Sequence, residues 1–364
     1  MNKVRTTIFH PLHGRLGAKF GEFAGYRMPL TYADLGATAE HVATRTSAGL
    51  FDVSHMAVVD LVGPDPAAAL ETLVPGGITT LKPGRSRYTF FTNEAGGILD
   101  DLIATQFGDR FSVVVNASRA EHDIGHLQLL TDIEVVRRSD LHLVAIQGPQ
   151  AVELAADAGI DASALTFMGA MVATIDGHDV AVTRSGYTGE DGLELALPAE
   201  IALGFAEQLL SDERCTPAGL VARDSLRLEA GLCLYGNDLD ETTTPVEADL
   251  MWAIPSRRRA AADYPGADVV DRQLADGPGR VRVGIGTDQR RPVRPGNELL
   301  VDGAAIGLVT SGAFGPTVDR PVAMGYVDPA HAEPGTALTA DVRGKEVPVH
   351  VAPLPFAPHR YHRG

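Results

Sequence analysis

The chain has 364 residues, 45% hydrophobic and 21% charged, enough for two or three domains with a continuous core and typical of a folded globular protein. Its formal net charge of −16 and sequence pI of about 5.1 argue against a nucleic-acid binder that works by neutralising phosphates, and point to small-molecule or protein partners. The two cysteines, Cys215 and Cys233, form no CxxC pair and imply neither a disulfide framework nor a thiolate zinc site; with no membrane-length apolar run and no apolar leader, the expected location is the cytoplasm.

In chain order, Met56–Gly63 reads as a strand, and Asp65 with Pro66 starts a helix running through Leu73. Three β-rich runs follow, Arg87–Thr92, Ile98–Gln106 and Phe111–Asn116, separated by the turn sequences NEAGG and FGDR, and then a helix from Arg119 to Leu130. Leu141–Gln147 is a further strand, Pro149–Ala158 a helix, and Met171–Ile175 with Asp179–Thr183 a strand pair. Helices are expected at Ile201–Leu210 and Gly219–Ala230, and a linker within 253–280, the stretch that carries the dense basic run Arg257-Arg258-Arg259. Beyond Arg280, short β runs with Gly and Pro turns (Val281–Ile285, Glu298–Val301, Ala305–Thr310, Val322–Val327, Ala337–Val342, Val347–Val351) read as a separate small barrel or sandwich.

Generic catalytic signatures are missing: there is no GxxxxGK[ST], no GxGxxG after a strand, no GxSxG and no HExxH. His10 with His13, and His359 with His362, have HxxH spacing but sit in terminal segments without an acidic or Cys cluster, so no metal is expected. Four stretches exceed generic propensity: FDVSHM (Phe51–Met56), GGILDDLI (Gly96–Ile103), SGYTGEDGLEL (Ser185–Leu195) and the run from Ala222 to Pro245. In the second, neighbouring Asp100 and Asp101 on a strand must face opposite sides. In the third, Glu190-Asp191 look exposed in a tight turn, and alternation sets Glu194 on the face opposite Leu193 and Leu195; by pattern alone a hairpin turn with a solvated Glu194 is the better explanation than a ligand role. In the fourth, Arg223 and Arg227 share a helix face, with Asp224 and Glu229 near enough for a structural salt-bridge network.

Taken together with Met28–Met56, RRRAAADYPGA, VTSGAFGPT and VAMGYV, these stretches resemble the glycine cleavage T-protein family, the folate-dependent aminomethyltransferases, almost end to end. The resemblance implies an α+β fold, a three-domain cloverleaf around a central folate cavity with a C-terminal β-barrel. It divides the chain into a catalytic region, 1–265, built of two intertwined α+β domains, and a barrel, 266–364. It implies transfer of the methylene carbon of an aminomethyl group from the dihydrolipoyl arm of an H-protein to tetrahydrofolate as co-substrate, with release of ammonia and formation of 5,10-methylenetetrahydrofolate.

Residue by residue, the resemblance makes Asp101 the essential aspartate, either a base or an electrostatic anchor for the cationic carbon as ammonia leaves. It makes Glu194 the acid that holds the pterin's guanidine-like edge and Arg223 the folate-binding arginine. Tyr187, Tyr88, Met56, Asn116 and Tyr235 fall where the family lines its cavity, and Tyr361 resembles a ligand-contacting tyrosine near the C-terminus. Since the chain is acidic, attraction to an H-protein would rest on local patches, at Arg257–Arg259 or around Lys3 and Arg5, unless the arginine run is a solvated loop. Two alternatives share the superfamily: a folate-dependent demethylase, and a non-catalytic iron–sulfur assembly factor, whose KGCYxGQE-type stretch is here GLCLYGNDLDE around Cys233.

Overall fold

The computed structural model describes residues 4–108 and 110–364; Lys3 lies outside the described residues. From the N-terminus, α1 (His10–Arg15) leads into the hairpin β1 (Ala18–Phe23) and β2 (Tyr26–Tyr32), then α2 (Ala37–Thr46) and β3 (Ala48–Asp52). The next unit contains β4 (Ala57–Val62), α3 (Pro66–Glu71), β5 (Arg85–Thr92), β6 (Ile98–Gln106), β7 (Phe111–Val115), α4 (Ala120–Leu127) and β8 (Glu134–Arg137). The chain then returns through β9 (Leu141–Gln147), α5 (Ala151–Asp157), β10 (Ala170–Ile175), β11 (His178–Thr183), β12 (Gly192–Pro198), α6 (Ala199–Leu210), β13 (Cys215–Pro217) and α7 (Leu220–Glu229). Helices α8 (Ser256–Ala261) and α9 (Ala267–Asp276) precede β14 (Val281–Gly286), β15 (Glu298–Val301), β16 (Ala304–Gly315), β17 (Arg320–Val327), β18 (Ala337–Asp341) and β19 (Glu346–Ala352).

Two open sheets, ordered β5-β6-β7-β4-β8 and β10-β11-β12-β9-β3-β13, face one another, and the last six strands close into a barrel. Each open sheet carries helices on its outer face. Leu70, Leu127 and Leu130 pack on Leu102, Ala104 and Val113 of the five-stranded sheet, and Leu154, Phe205 and Leu209 on Ile146, Leu193 and Leu195 of the six-stranded one. Between the inner faces lies a third cluster, in which Met56, Val58 and Val114 meet Leu143, Ala181, Ala196 and Leu226. Because side chains alternate along a strand, β6 sends Leu102 and Ala104 outward and Asp101, Ile103 and Thr105 inward. That alternation is what delivers polar groups to the space between the sheets.

Several sequence signals act as expected. The Asp65 carboxylate accepts from Ala68 N at 3.0 Å and caps α3, a contact of about 1 kcal/mol. In GGILDDLI, Gly96 takes a φ of 78°, and a Cβ at Gly97 would lie 1.8 Å from Glu241 O, so both glycines are required where this turn touches the segment after α7. The expected linker differs: residues 256–276 form α8 and α9, and Tyr264, Ala267 and Val270 pack with Phe90 and Ile98 of the five-stranded sheet. No described helix is long and apolar enough to cross a membrane.

Candidate functional site

A cavity opens between the two sheets. Its walls come from the inward rows of six strands, including Val58, Ile103, Val114, Leu143 and Ala181, with Met56 just before β4; Glu194 and Arg223 are charged lining groups, as are Asp60 and Arg110. Glu194 is fixed from below: Ser185 Oγ donates to Glu194 Oε2 at 2.8 Å and is held by Thr183 Oγ1 at 2.7 Å. Among the described residues Glu194 Oε1 takes no hydrogen bond, leaving an acceptor directed to the cavity.

Arg223, on α7, sets its guanidinium 4.8 Å from the Tyr187 ring centroid, and its buried Nη1 has no acceptor. A buried unpaired donor is costly unless a ligand supplies the acceptor. Tyr187 itself is tied down, its hydroxyl donating to Cys233 O. The carboxylate at one edge, the free guanidinium donor beside it and the apolar walls fit a flat ring with a donor-rich edge and a carbonyl, as a pterin has.

Asp101 continues the inward row of β6 two residues before Ile103, roughly 7 Å further along the strand. Tyr88 Oη donates to Asp101 Oδ2 at 3.0 Å, and Asn116 Nδ2 donates to Asp101 Oδ1 at 2.7 Å. Burial, and secondarily the like charge of Asp100, push the Asp101 carboxyl up to about 7 against the opposing pull of those two donors. Asn116 follows Val114 on the inward face of β7, so Asp101, Asn116 and Tyr88 form a polar cluster at one end of the space whose walls hold Met56, Glu194 and Arg223. Tyr235 packs in the cluster that contains Tyr88, with the Arg119 guanidinium 5.6 Å over its ring.

Tyr361 lies in the C-terminal tail. It stacks on Phe167 at 4.0 Å and 12°, outside the residues that line the cavity, while the surrounding tail clamps the loop between β11 and β12: Arg360 N donates to Gly189 O at 2.8 Å. The pair Glu190-Asp191, expected to be exposed, is instead tied to arginines. Glu190 is buried against Arg45 at 3.1 Å, and Asp191 meets Arg184 at 2.5 Å.

His13 likewise has an acidic partner, Asp52, at 3.0 Å, with Tyr32 on its other nitrogen; no cluster of three or more metal-ligating groups occurs among the described residues. The arginine run is not a solvated loop. Arg258 is buried and donates to Glu71 O and Val74 O, and Arg257 grips the Glu71 carboxylate with two bonds of 2.8 Å, so two of its three cations are committed within the fold.

Sequence reasoning missed three features: the Ser185 support of Glu194, the exposed Trp252 stacked on Tyr88 at 5.4 Å, and Asp123, which meets Asp100 behind the sheet. Only Ser185 left a trace, as one of the polar residues around the glycines of SGYTGEDG.

The GCVT N-terminal domain matches residues 9–258 and the glycine cleavage T-protein C-terminal barrel domain residues 280–357. The mitochondrial aminomethyltransferase of Gallus gallus is 43% identical, over 99% of this chain and 94% of that one; the aminomethyltransferase of Saccharopolyspora erythraea is 43% identical, over 98% and 99%. The crystal structure of glycine cleavage system aminomethyltransferase T from Bartonella henselae superposes with a TM-score of 0.95 at 46% identity, covering 99% of both chains. The chain belongs to the glycine cleavage T-protein family, the folate-dependent aminomethyltransferases.

Proposed function

We propose that the chain transfers the methylene carbon of an aminomethyl group, carried on the dihydrolipoyl arm of an H-protein, to tetrahydrofolate with release of ammonia. Tetrahydrofolate supplies the two accepting nitrogens, N5 of the pterin ring and N10 of the arylamine, and the S–CH2 bond that breaks leaves the lipoyl arm as its reduced dithiol. Glu194 receives the donor edge of the pterin, and the free Nη1 of Arg223 donates to an acceptor on the same ligand. Met56, with the aliphatic walls, excludes water from the flat face of the ring. Tyr88 and Asn116 orient Asp101, whose proton affinity near neutrality suits it to take up or hold a proton, and whose negative charge opposes the positive charge that develops as ammonia departs. Tyr187 holds Arg223 from the other side and Tyr235 packs near Tyr88.

The observation that carries this reading is the shared inward face of β6, where Asp101 leads the same row that lines the cavity containing Glu194 and Arg223. We divide the catalytic region from the barrel at 265/266, ahead of the first barrel strand at Val281. Two buried free cysteines are consistent with a reducing compartment such as the cytoplasm. The test is Asp101→Asn. Calorimetry with tetrahydrofolate should show binding within about threefold of the parent, while turnover with aminomethylated H-protein falls by about 10²–10⁴. Unchanged turnover would refute the role of Asp101.

A further inference from the structure

Behind the inward face of β6 lies a second acid that the proposed reaction does not use. Asp100 is fully buried, points toward the helix layer and accepts from Asn116 twice, from Nδ2 at 2.9 Å and from the backbone N at 3.2 Å. On that side it meets the side chain of Asp123 of α4, also fully buried. Asp123 Oδ1 contacts His122 Nδ1 at 3.1 Å, but its Oδ2 is buried without any donor. Two buried carboxyl groups in contact cannot both be ionised without a cation between them, and a proton on one supplies the donor the other lacks.

The surroundings decide where that proton sits. Arg119 favours the ionised form of Asp123, though its guanidinium is turned to Glu241 at 2.7 Å and to the Tyr235 ring. His122 touches Asp123 from α4 itself and feels the charge of Asp100; Asp101 acts on Asp123 from β6, and Tyr235 faces Asp100 from the segment after α7. No arginine or lysine forms a salt bridge with Asp100 among the described residues; the titratable base that feels its charge is His122. Burial raises both carboxyls; Asp123 raises Asp100 further, whereas the bond to Asp100 and the Arg119 charge pull Asp123 back down.

Asn116 couples the pair to the reacting side. Its single amide nitrogen donates to Asp100 Oδ1 at 2.9 Å, Asp101 Oδ1 at 2.7 Å and Asp101 O at 3.2 Å, so one planar group spans both faces of the strand. We propose that Asp100 and Asp123 share one proton at neutral pH, carried on Asp100, and that this pair acts through Asn116 as the positioning element for Asp101. While the proton stays, Asp100 accepts from Asn116 and donates to Asp123, and the remaining negative charge is one layer away from Asp101. When the proton leaves to solvent, a second negative charge stands beside Asp101, competes for the same N–H groups and raises the proton affinity of Asp101.

This inference rests on Asp101 being the reacting carboxylate, and its test separates the two. Asp100→Asn puts an amide that keeps the acceptor for Asn116 Nδ2 and can donate to Asp123, giving up only the longer bond from Asn116 N, and so approximates the protonated acid; Asp100→Ala does neither. The pH profile of kcat should keep its acidic limb in Asp100→Asn and lose its alkaline limb, with turnover at pH 7 at least tenfold above that of Asp100→Ala. In Asp123→Asn, the charge moves onto Asp100 and the acidic limb shifts up by about one pH unit. Infrared spectra of the ligand-free Asp101→Asn protein at pH 7 should show a protonated-carboxyl C=O band that a further Asp100→Asn substitution removes. The proposal is overturned if that band is absent or survives the further substitution, or if Asp100→Asn and Asp100→Ala lose turnover alike without moving either limb. An Asp101→Asn variant with full turnover would instead sink the role of Asp101 and leave the infrared result standing.

Discussion

Glu194→Gln isolates the recognition of the ligand from the chemistry. The substitution keeps the size and rotamers of the side chain and an acceptor for Ser185 Oγ, which now holds Glu194 Oε2 at 2.8 Å, so the β11–β12 hairpin has no reason to move. What it removes is the negative charge, and in place of a second acceptor it presents an NH2 group to a ligand edge that itself consists of donors. A hydrogen bond to a charged group contributes about 1.5–3 kcal/mol, and each 1.4 kcal/mol is tenfold in affinity, so tetrahydrofolate should bind roughly ten- to a hundredfold more weakly. Isothermal calorimetry at pH 7 reads this directly, and a thermal melt without ligand verifies that stability is unchanged. Retention of affinity within twofold would mean that the carboxylate does not meet the donor edge, and the orientation of the ligand in the cavity would have to be reversed.

Other perturbations address stability and pH. Arg227, only 2% exposed, bonds Asp224 and Asp238 as well as Ser311 of β16; Arg227→Met leaves Asp238 buried without its cation, held only by Leu234 N, Ser311 and Thr310, and chemical denaturation should register a loss of about 3–5 kcal/mol. Asp100 at about 8 and Asp101 at about 7 lie above the unfolded value of about 3.9, so the folded state holds their protons longer; their contribution to stability is full below about pH 4 and is lost as the pH rises to about 8. Asp100→Asn should therefore flatten the decline across that window by a few kcal/mol in urea unfolding, and a steeper decline in the variant would contradict the assignment. Tyr361→Ala removes an aromatic stack worth about 0.5–1.5 kcal/mol and should lower the melting temperature slightly while leaving tetrahydrofolate affinity within a fewfold; a hundredfold loss would place Tyr361 at the ligand after all.

Period-two patterning made the sheets legible. The limits of β6 and β9 match those expected, and all six barrel strands fall within a few residues of the runs beyond Arg280, because each has a buried face and a Gly or Pro boundary. What was not legible are elements whose identity is set by distant partners. The β1–β2 hairpin contains Gly21 and Pro29, weak strand formers, and β13 is three residues long, paired in parallel with β3. Helix α9 lacks a strong apolar run, and packs only because Phe90 and Ile98 offer a surface. Among site residues, alternation alone established that Asp100 and Asp101 diverge, but which of them faces the cavity needed the register with Ile103, and Asp123 announces nothing in a solvated-looking AEHD sequence.

The adjacent acids of GGILDDLI are thus the consequence of a strand that separates two environments. On the inner side a carboxylate must stay available to a ligand, so its donors, Tyr88 and Asn116, come from neighbouring strands and leave its approach free. On the outer side a carboxyl under a helix layer can be tolerated only with its own hydrogen bonds satisfied, which Asn116 and Asp123 provide. An apolar residue in place of Asp100 would pack more cheaply, but Asn116 would then lose its second acceptor and with it the restraint that aims its amide at Asp101. The outer acid is retained, on this reasoning, for the orientation of the inner one, since burial of a carboxyl pair by itself adds no stability.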